Sequence, residues 1–333
     1  MDVVAFENQP RPVSRGGNTF AGIDLLRGLA ALGVVMLHAC VPYAQHPMPG
    51  LCWPVWESGS LSVGWLFWAI EIFIMPLFLL IAGFLSLRSL LRSGPASLVR
   101  CRLSRLGRPF LFGCLLVLPI ELYIWVLGWV GEGVVPPVKL RSLKFDGSID
   151  RHLWGTSHLW FLLYLLLYVS LMASARWVQL RYPLARVRIS VAWVPACLIG
   201  VACVILVFCP EVVWGFQHGF LPVPSKWAYS GAFFAGGAWL ACHDPQLSGL
   251  QTIAPRLVAP AGLLVVAAVV LGRWELSGGE SGWAIVALAV TTVAAATLVS
   301  LALLGVSVRH HQTGSAVSGY LAAASFWIYL VHH

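Results

Sequence analysis

Charge is scarce in this sequence. Of its 333 residues only 10% are charged, and just 13 are acidic. A soluble chain carries about 25% charged residues, so there is too little polar surface here to cover a globule in water. The eight cysteines form no C-x-x-C pair and no zinc spacing, which removes a dithiol redox centre and leaves no metal site to expect. Most lie in apolar runs, where a thiol behaves as a small hydrophobe. Cys40 and Cys52 are the pair that an oxidising compartment could join. There is no long linker, low-complexity tract or internal repeat, so one domain is expected. The missing repeat argues against a secondary transporter assembled from two related halves. A cleavable leader is also missing: the first apolar run follows a basic segment, residues 1–19, and reads as a helix of the domain.

What the chain has in abundance is apolar sequence. Hydrophobic residues make up 59%, the mean hydropathy is +0.83, and sixteen tryptophans suit the interfacial belts of a bilayer. A spanning helix needs about 20 mostly apolar residues. Runs of that kind fall near 20–41, 61–85, 108–130, 157–175, 190–209, 226–242, 256–272, 282–305 and 316–333. The expectation is an all-α, polytopic transmembrane helical bundle of about nine spans. The sixth is the shortest of these signals, and its glycines at 231, 236 and 237 suit close helix packing.

The basic residues give the bundle a direction. With the N-terminus placed in the cytoplasm, fifteen of the 21 Lys and Arg residues fall on the inner side. That bias predicts a multi-pass protein of the plasma (inner) membrane with a cytoplasmic N-terminus. It also accounts for the net charge of +8 through anionic membrane lipid, with no nucleic acid as partner.

Ionisable residues inside spans are costly and are functional candidates by default. The first span carries Arg27 and His38 in FAGIDLLRGLAALGVVMLHA. Eleven residues is three helical turns plus about 20°, so both side chains share a face, roughly 16 Å apart along the axis. A neutral imidazole is the group suited to take a proton from a hydroxyl near neutral pH. Its companion carboxylate is Glu71 in the second span or Glu121 in the third, with Glu71 preferred. His158 opens the fourth span and His332 closes the ninth, so topology brings both to the His38 side, with Trp160 beside them. His333 follows at the chain end. Tyr164 and Tyr168, one turn apart, read as packing groups. On the opposite side, SLRSLLRSGPASLVRCRLSRLGRPF holds six Arg and no Lys. Arginine is favoured where phosphate is bound by a planar, two-pronged contact, and Arg102 and Arg105 project together if this stretch is helical.

These residues resemble acyltransferase family 3, membrane acyltransferases that modify extracytoplasmic glycans. The first-helix motif, a basic residue, ten others and then His, is similar to Arg27 through His38. The R-x-x-R pattern is similar to Arg102-Leu103-Ser104-Arg105. MPLFLLIAGF (75–84), RLSRLGRPF (102–110), HLWFLLYLLLY (158–168) and WIYLVHH (327–333) resemble family blocks in the family order, closest to the glucan-biosynthesis succinyltransferase branch. The resemblance covers residues 20–333 as the domain, after a cytoplasmic segment 1–19. It implies a membrane-embedded O-acyltransferase that moves an acyl group from cytoplasmic acyl-CoA to a sugar hydroxyl of a periplasmic or cell-surface glycan. Acyl-CoA is then the donor, with no permanently bound cofactor. The implied roles are His38 and Glu71 in catalysis, Arg27, Arg102 and Arg105 on the donor, and His158, Trp160 and His332 at the acceptor face. The family pattern has ten spans, so a chain read with nine is expected to stop one helix short. The alternatives are a transporter or permease with a proton or anion path, and an inactive truncated acyltransferase.

Overall fold

The computed structural model describes residues 21–46, 48–51, 53–142, 144–145, 154–182, 193–217, 219–279, 281–313 and 315–332. The segment 1–19, Cys52, Arg151, Arg186, Arg188 and His333 lie outside the described residues. Among the described residues the chain forms nine principal helices, one for each expected span. They are α1 (Ala21–Cys40), α2 (Leu61–Ser93), α3 (Pro95–Gly131), α4 (Trp160–Arg181) and α5 (Val194–Phe208). Then come α6 (Pro224–His243), α7 (Ser248–Leu276), α8 (Gly282–His310) and α9 (Ala316–Val331). Helices α1, α2, α3, α4, α7 and α8 belong to the six stretches long and apolar enough to cross a membrane, while α5 and α9 are shorter apolar helices. The protein is an all-α, multi-pass membrane bundle.

Several helices run further than their apolar runs suggest. The third begins at Pro95 rather than near 108, so the arginine-rich stretch is helix and not loop. Gly94, at φ +78°, closes α2 in a conformation that a side chain would resist. Pro95 then opens α3 at the position where a missing N–H costs nothing. Two π-helical turns interrupt α3, at Leu103–Gly107 and Gly113–Val117. The seventh helix likewise extends to Ser248, because polar residues at the membrane edge continue the backbone hydrogen bonding.

Packing depends on small residues, as the sixth span suggests. Helices α2 and α6 cross where Gly83 and Gly237 face one another: a Cβ on Gly83 would meet the Phe234 carbonyl, and one on Gly237 the Leu80 carbonyl. Only glycine permits two backbones to approach this closely. Helix α9 runs beside α1 in the same direction. Gly28 of α1 meets Leu321 of α9, and about three turns further on His38 meets His332. The Ser307 hydroxyl donates to the Gly22 carbonyl (2.7 Å) and ties α8 to the start of α1. Trp214 stacks on Trp68 at 4.6 Å between centroids and donates its N–H to Thr292 (3.1 Å).

Candidate functional site

A cavity of about 1010 Å³, counting its open mouth, lies among α1, α2, α4, α6 and α9. His38, Glu71, His158, Trp160, Lys226 and His332 all line it. Five of those six are residues the sequence reading selects; Lys226 is the addition. The local folding explains how they arrive. In α2, Pro76 removes the hydrogen bond that the Ile72 carbonyl would otherwise accept, and both residues line the cavity, Ile72 next to Glu71 and Pro76 five residues on. The loop after α1 is pinned by Glu57 N–H on Pro42 O (2.9 Å) and Ser60 N–H on Tyr43 O (2.8 Å). It lays the Trp53 ring 6.1 Å from that of His38.

His38 is placed by its own helix. Its Nδ1 lies 2.9 Å from the Val34 carbonyl oxygen, so Nδ1–H donates there and the lone pair belongs to Nε2, the tautomer required of a base. The His332 ring stands edge-on to it with centroids 4.7 Å apart, and His158 is 5.2 Å beyond His332. The carboxylate next to this row is Glu121: its Oε2 is 3.4 Å from His158 Nδ1, and its Oε1 accepts from the Ser157 hydroxyl at 2.7 Å. His158 Nε2 is 3.1 Å from the Leu330 carbonyl, and the Tyr329 hydroxyl donates to the His158 carbonyl. Glu121 is therefore the acid of the histidine row. Glu71, the preferred candidate from sequence, shares the cavity with His38 but couples electrostatically to Lys226. Lys226 also sits 4.0 Å over the Trp160 ring and donates to the Gln217 carbonyl at 3.3 Å. The one sequence signal for Lys226 was its place at the start of an apolar helix, where it reads as an ordinary interfacial charge.

The arginines form a separate group. Arg102 reaches the Ser86 hydroxyl of α2 at 3.5 Å and is half-buried, with Arg27 and Arg105 near enough to act on it electrostatically. The π-turn that begins at Leu103 separates the two motif arginines, leaving Arg105 exposed. Arg27 pairs with Asp24 at 3.4 Å and does not face into the cavity beside His38 as their shared helix face suggests. The cavity lining ends at Leu79, roughly 10 Å along α2 from Ser86 at 1.5 Å per residue. Tyr164 and Tyr168 do pack, as expected. The Val223 N–H donates to the Tyr164 hydroxyl (2.9 Å) and the Tyr168 hydroxyl donates to the Trp227 carbonyl (2.5 Å), fixing the start of α6. Among the described residues no group of three or more His, Cys, Asp or Glu side chains is arranged to hold a metal ion.

The family model described as an acyltransferase domain, that of acyltransferase family 3, matches residues 20–333. The chain belongs to acyltransferase family 3. No curated protein and no solved structure matches it. The acyltransferase thus has two polar centres: a histidine-bearing cavity near the α1 C-terminus, and an arginine cluster nearer its N-terminus. Both are carried in part by α1, which links them.

Proposed function

We propose that this protein is an O-acyltransferase that takes an acyl group from cytoplasmic acyl-CoA and places it on a sugar hydroxyl of a periplasmic or cell-surface glycan. The observation that carries the reading is that α1 lines an open-mouthed cavity with His38 while its other half places Arg27 near enough to Arg102 to act on it electrostatically. Arg27, Arg102 and Arg105 bind the phosphate-bearing end of the donor, using the charge-assisted contacts arginine makes best. The flexible pantetheine arm then carries the thioester toward the cavity. His38 Nε2 takes the proton of the acceptor hydroxyl as its oxygen attacks the thioester carbon. The carbon–sulfur bond breaks, and the proton held on His38 is returned to the leaving thiolate. His332, and His158 with Glu121 behind it, fix the imidazole's surroundings; Glu71 and Lys226 supply opposite charges across the cavity, where preorganised charge acts strongly. The N-terminus lies in the cytoplasm of the inner-membrane topology, where the basic residues concentrate.

The test is mass spectrometry of surface and periplasmic glycans from cells carrying the wild type, the His38→Gln variant or no copy. An acyl substituent present only with the wild type is the expected result. Full acylation by His38→Gln removes the assignment of His38, and glycans identical with and without the protein remove the function.

A further inference from the structure

A groove of about 1230 Å³, counting its open side, runs between α3 and α4 at the end of the bundle where the arginines gather. Arg100, Ser104 and Arg108 line it from α3, and Ser174 and Trp177 from α4. The α3 row advances four residues at a time. In an α-helix each such step drifts by about 40°, and the wider π turn at Leu103–Gly107 works against that drift. Across the gap, Ala173 and Ser174 are too small to fill the space. This is not the face that holds the proposed donor group. At 100° per residue Arg102 is turned by about 200° from Arg100, and it reaches Ser86 of α2 instead. Neither Arg102 nor Arg105 lines the groove.

The cations here have no counter-charge nearby in these helices. Neither Arg100 nor Arg108 makes a hydrogen bond or an ion pair among the described residues. A third cation, Arg181, stands 5.3 Å over the Trp177 ring. The sequence holds no acidic residue between Glu71 and Glu121, nor between Asp150 and Glu211. Glu121, the one acid of α3, is roughly 20 Å along the helix from Arg108 and faces His158. A neutralising anion therefore has to come from outside α3 and α4. Arg100 and Arg108 are roughly 12 Å apart along the axis, a gap that two side chains of this length close on one phosphate. Beyond them the surface turns apolar. Leu111, Phe112 and Leu115, one and two turns past Arg108, are exposed, as is Leu171 of α4. Guanidiniums at one end with bare hydrocarbon next to them match an anionic amphiphile at a membrane edge. A free phosphate or a nucleotide would leave that hydrocarbon unused.

We propose that this groove holds one anionic phospholipid, its phosphate between Arg100 and Arg108 and its chains along Leu111, Phe112 and Leu115. The site is separate from acyl transfer and is testable without an acyl donor.

The test is native mass spectrometry of the full chain in neutral detergent, titrated with dioleoyl phosphatidylglycerol or dioleoyl phosphatidylcholine. One phosphatidylglycerol retained per chain, in preference to phosphatidylcholine, is the expected result. Arg100→Gln with Arg108→Gln is expected to weaken that binding about thirtyfold, the usual worth of two basic residues against an anionic lipid. Arg256→Gln with Arg309→Gln removes as much charge from exposed positions on α7 and α8, and is expected to bind like the wild type. Ser174→Trp keeps every charge but fills the groove, so it is expected to lose the lipid; it decides the matter even where the arginine pair does not fold. Equal retention of the two lipids, equal weakening in the two arginine pairs, or undiminished binding by Ser174→Trp overturns the proposal. Glycerol phosphate and coenzyme A are then added as competitors. Displacement of the lipid by either at equimolar concentration overturns a lipid site in favour of a free-anion or donor site.

Discussion

The imidazole of His38 meets that of His332 edge to face, centroids 4.7 Å apart and planes inclined by 76°, although one closes the first helix and the other the last. The contact exists because α1 and α9 run side by side in the same direction, with Gly28 admitting Leu321 at the other end of the interface. His38→Gln keeps a side chain that can still bond the Val34 carbonyl but removes the basic nitrogen. The rate of acyl transfer is expected to fall by about 10²- to 10⁴-fold, the usual worth of a positioned general base, with donor binding retained. Thiol release from acyl-CoA in the presence of glycan acceptor, set beside a donor-induced thermal shift, separates the two effects.

Replacing Arg102 or Arg105 by Gln is expected to act on the donor and not on chemistry. Loss of one charge-assisted contact, about 1.5–3 kcal/mol, corresponds to a weakening of acyl-CoA affinity by about ten- to a hundredfold. Arg102, which faces Ser86 and is half-buried, should show the larger effect. Titrating acyl-CoA against protein melting reads this directly, and unchanged affinity in both variants removes the arginines from the donor site.

Glu121 and His158 are both buried, 3.4 Å apart, and their pairing has a predictable energetic footprint. Glu121→Leu leaves the Ser157 hydroxyl without its acceptor and removes the carboxylate beside His158, at a cost of about 1–3 kcal/mol. The double variant Glu121→Leu with His158→Phe should recover part of that loss, because both partners are then apolar. Thermal midpoints in a double-mutant cycle measure it, and strictly additive shifts would show that the pair contributes nothing jointly.

Much of the fold was legible in the sequence, because a 20-residue apolar run has one structural outcome in a bilayer. The nine runs became nine helices. Their ends were less legible: the arginine segment reads as a loop by hydropathy yet is helical from Pro95, since charged residues at the membrane edge keep the helical hydrogen bonds. The meeting of His38, His158 and His332 could be foreseen from the parity of the spans. Which carboxylate serves which partner could not. Glu71 and Glu121 sit at similar depths, and only the rotation of α2 and α3 decides that one couples to Lys226 and the other to His158. Arg27 shows the same limit, sharing a helix face with His38 while its own side chain turns to Asp24.

Gly83→Ala and Gly237→Ala are expected to be among the most damaging small substitutions in the protein. Each added methyl meets a backbone carbonyl, which cannot swing aside as a side chain can, so the cost is at the upper end of the about 1–3 kcal/mol of an overpacked core or beyond. Gly262→Ala is the control, since a Cβ there meets nothing within 4 Å; it should be neutral or slightly stabilising, as Ala is the better helix former. Yield of folded protein on gel filtration and thermal midpoints compare the three.

That glycine crossing has a mechanical consequence. It lies on α2 between Leu79, where the cavity ends, and Ser86, which Arg102 reaches, so the closest backbone approach of α2 and α6 falls between the two polar centres. Backbones this close leave no side chain between them to yield, so the two helices cannot slide past each other here without a clash. Gly83 and Gly237 thereby hold the histidine end and the arginine end of α2 at one fixed setting against α6.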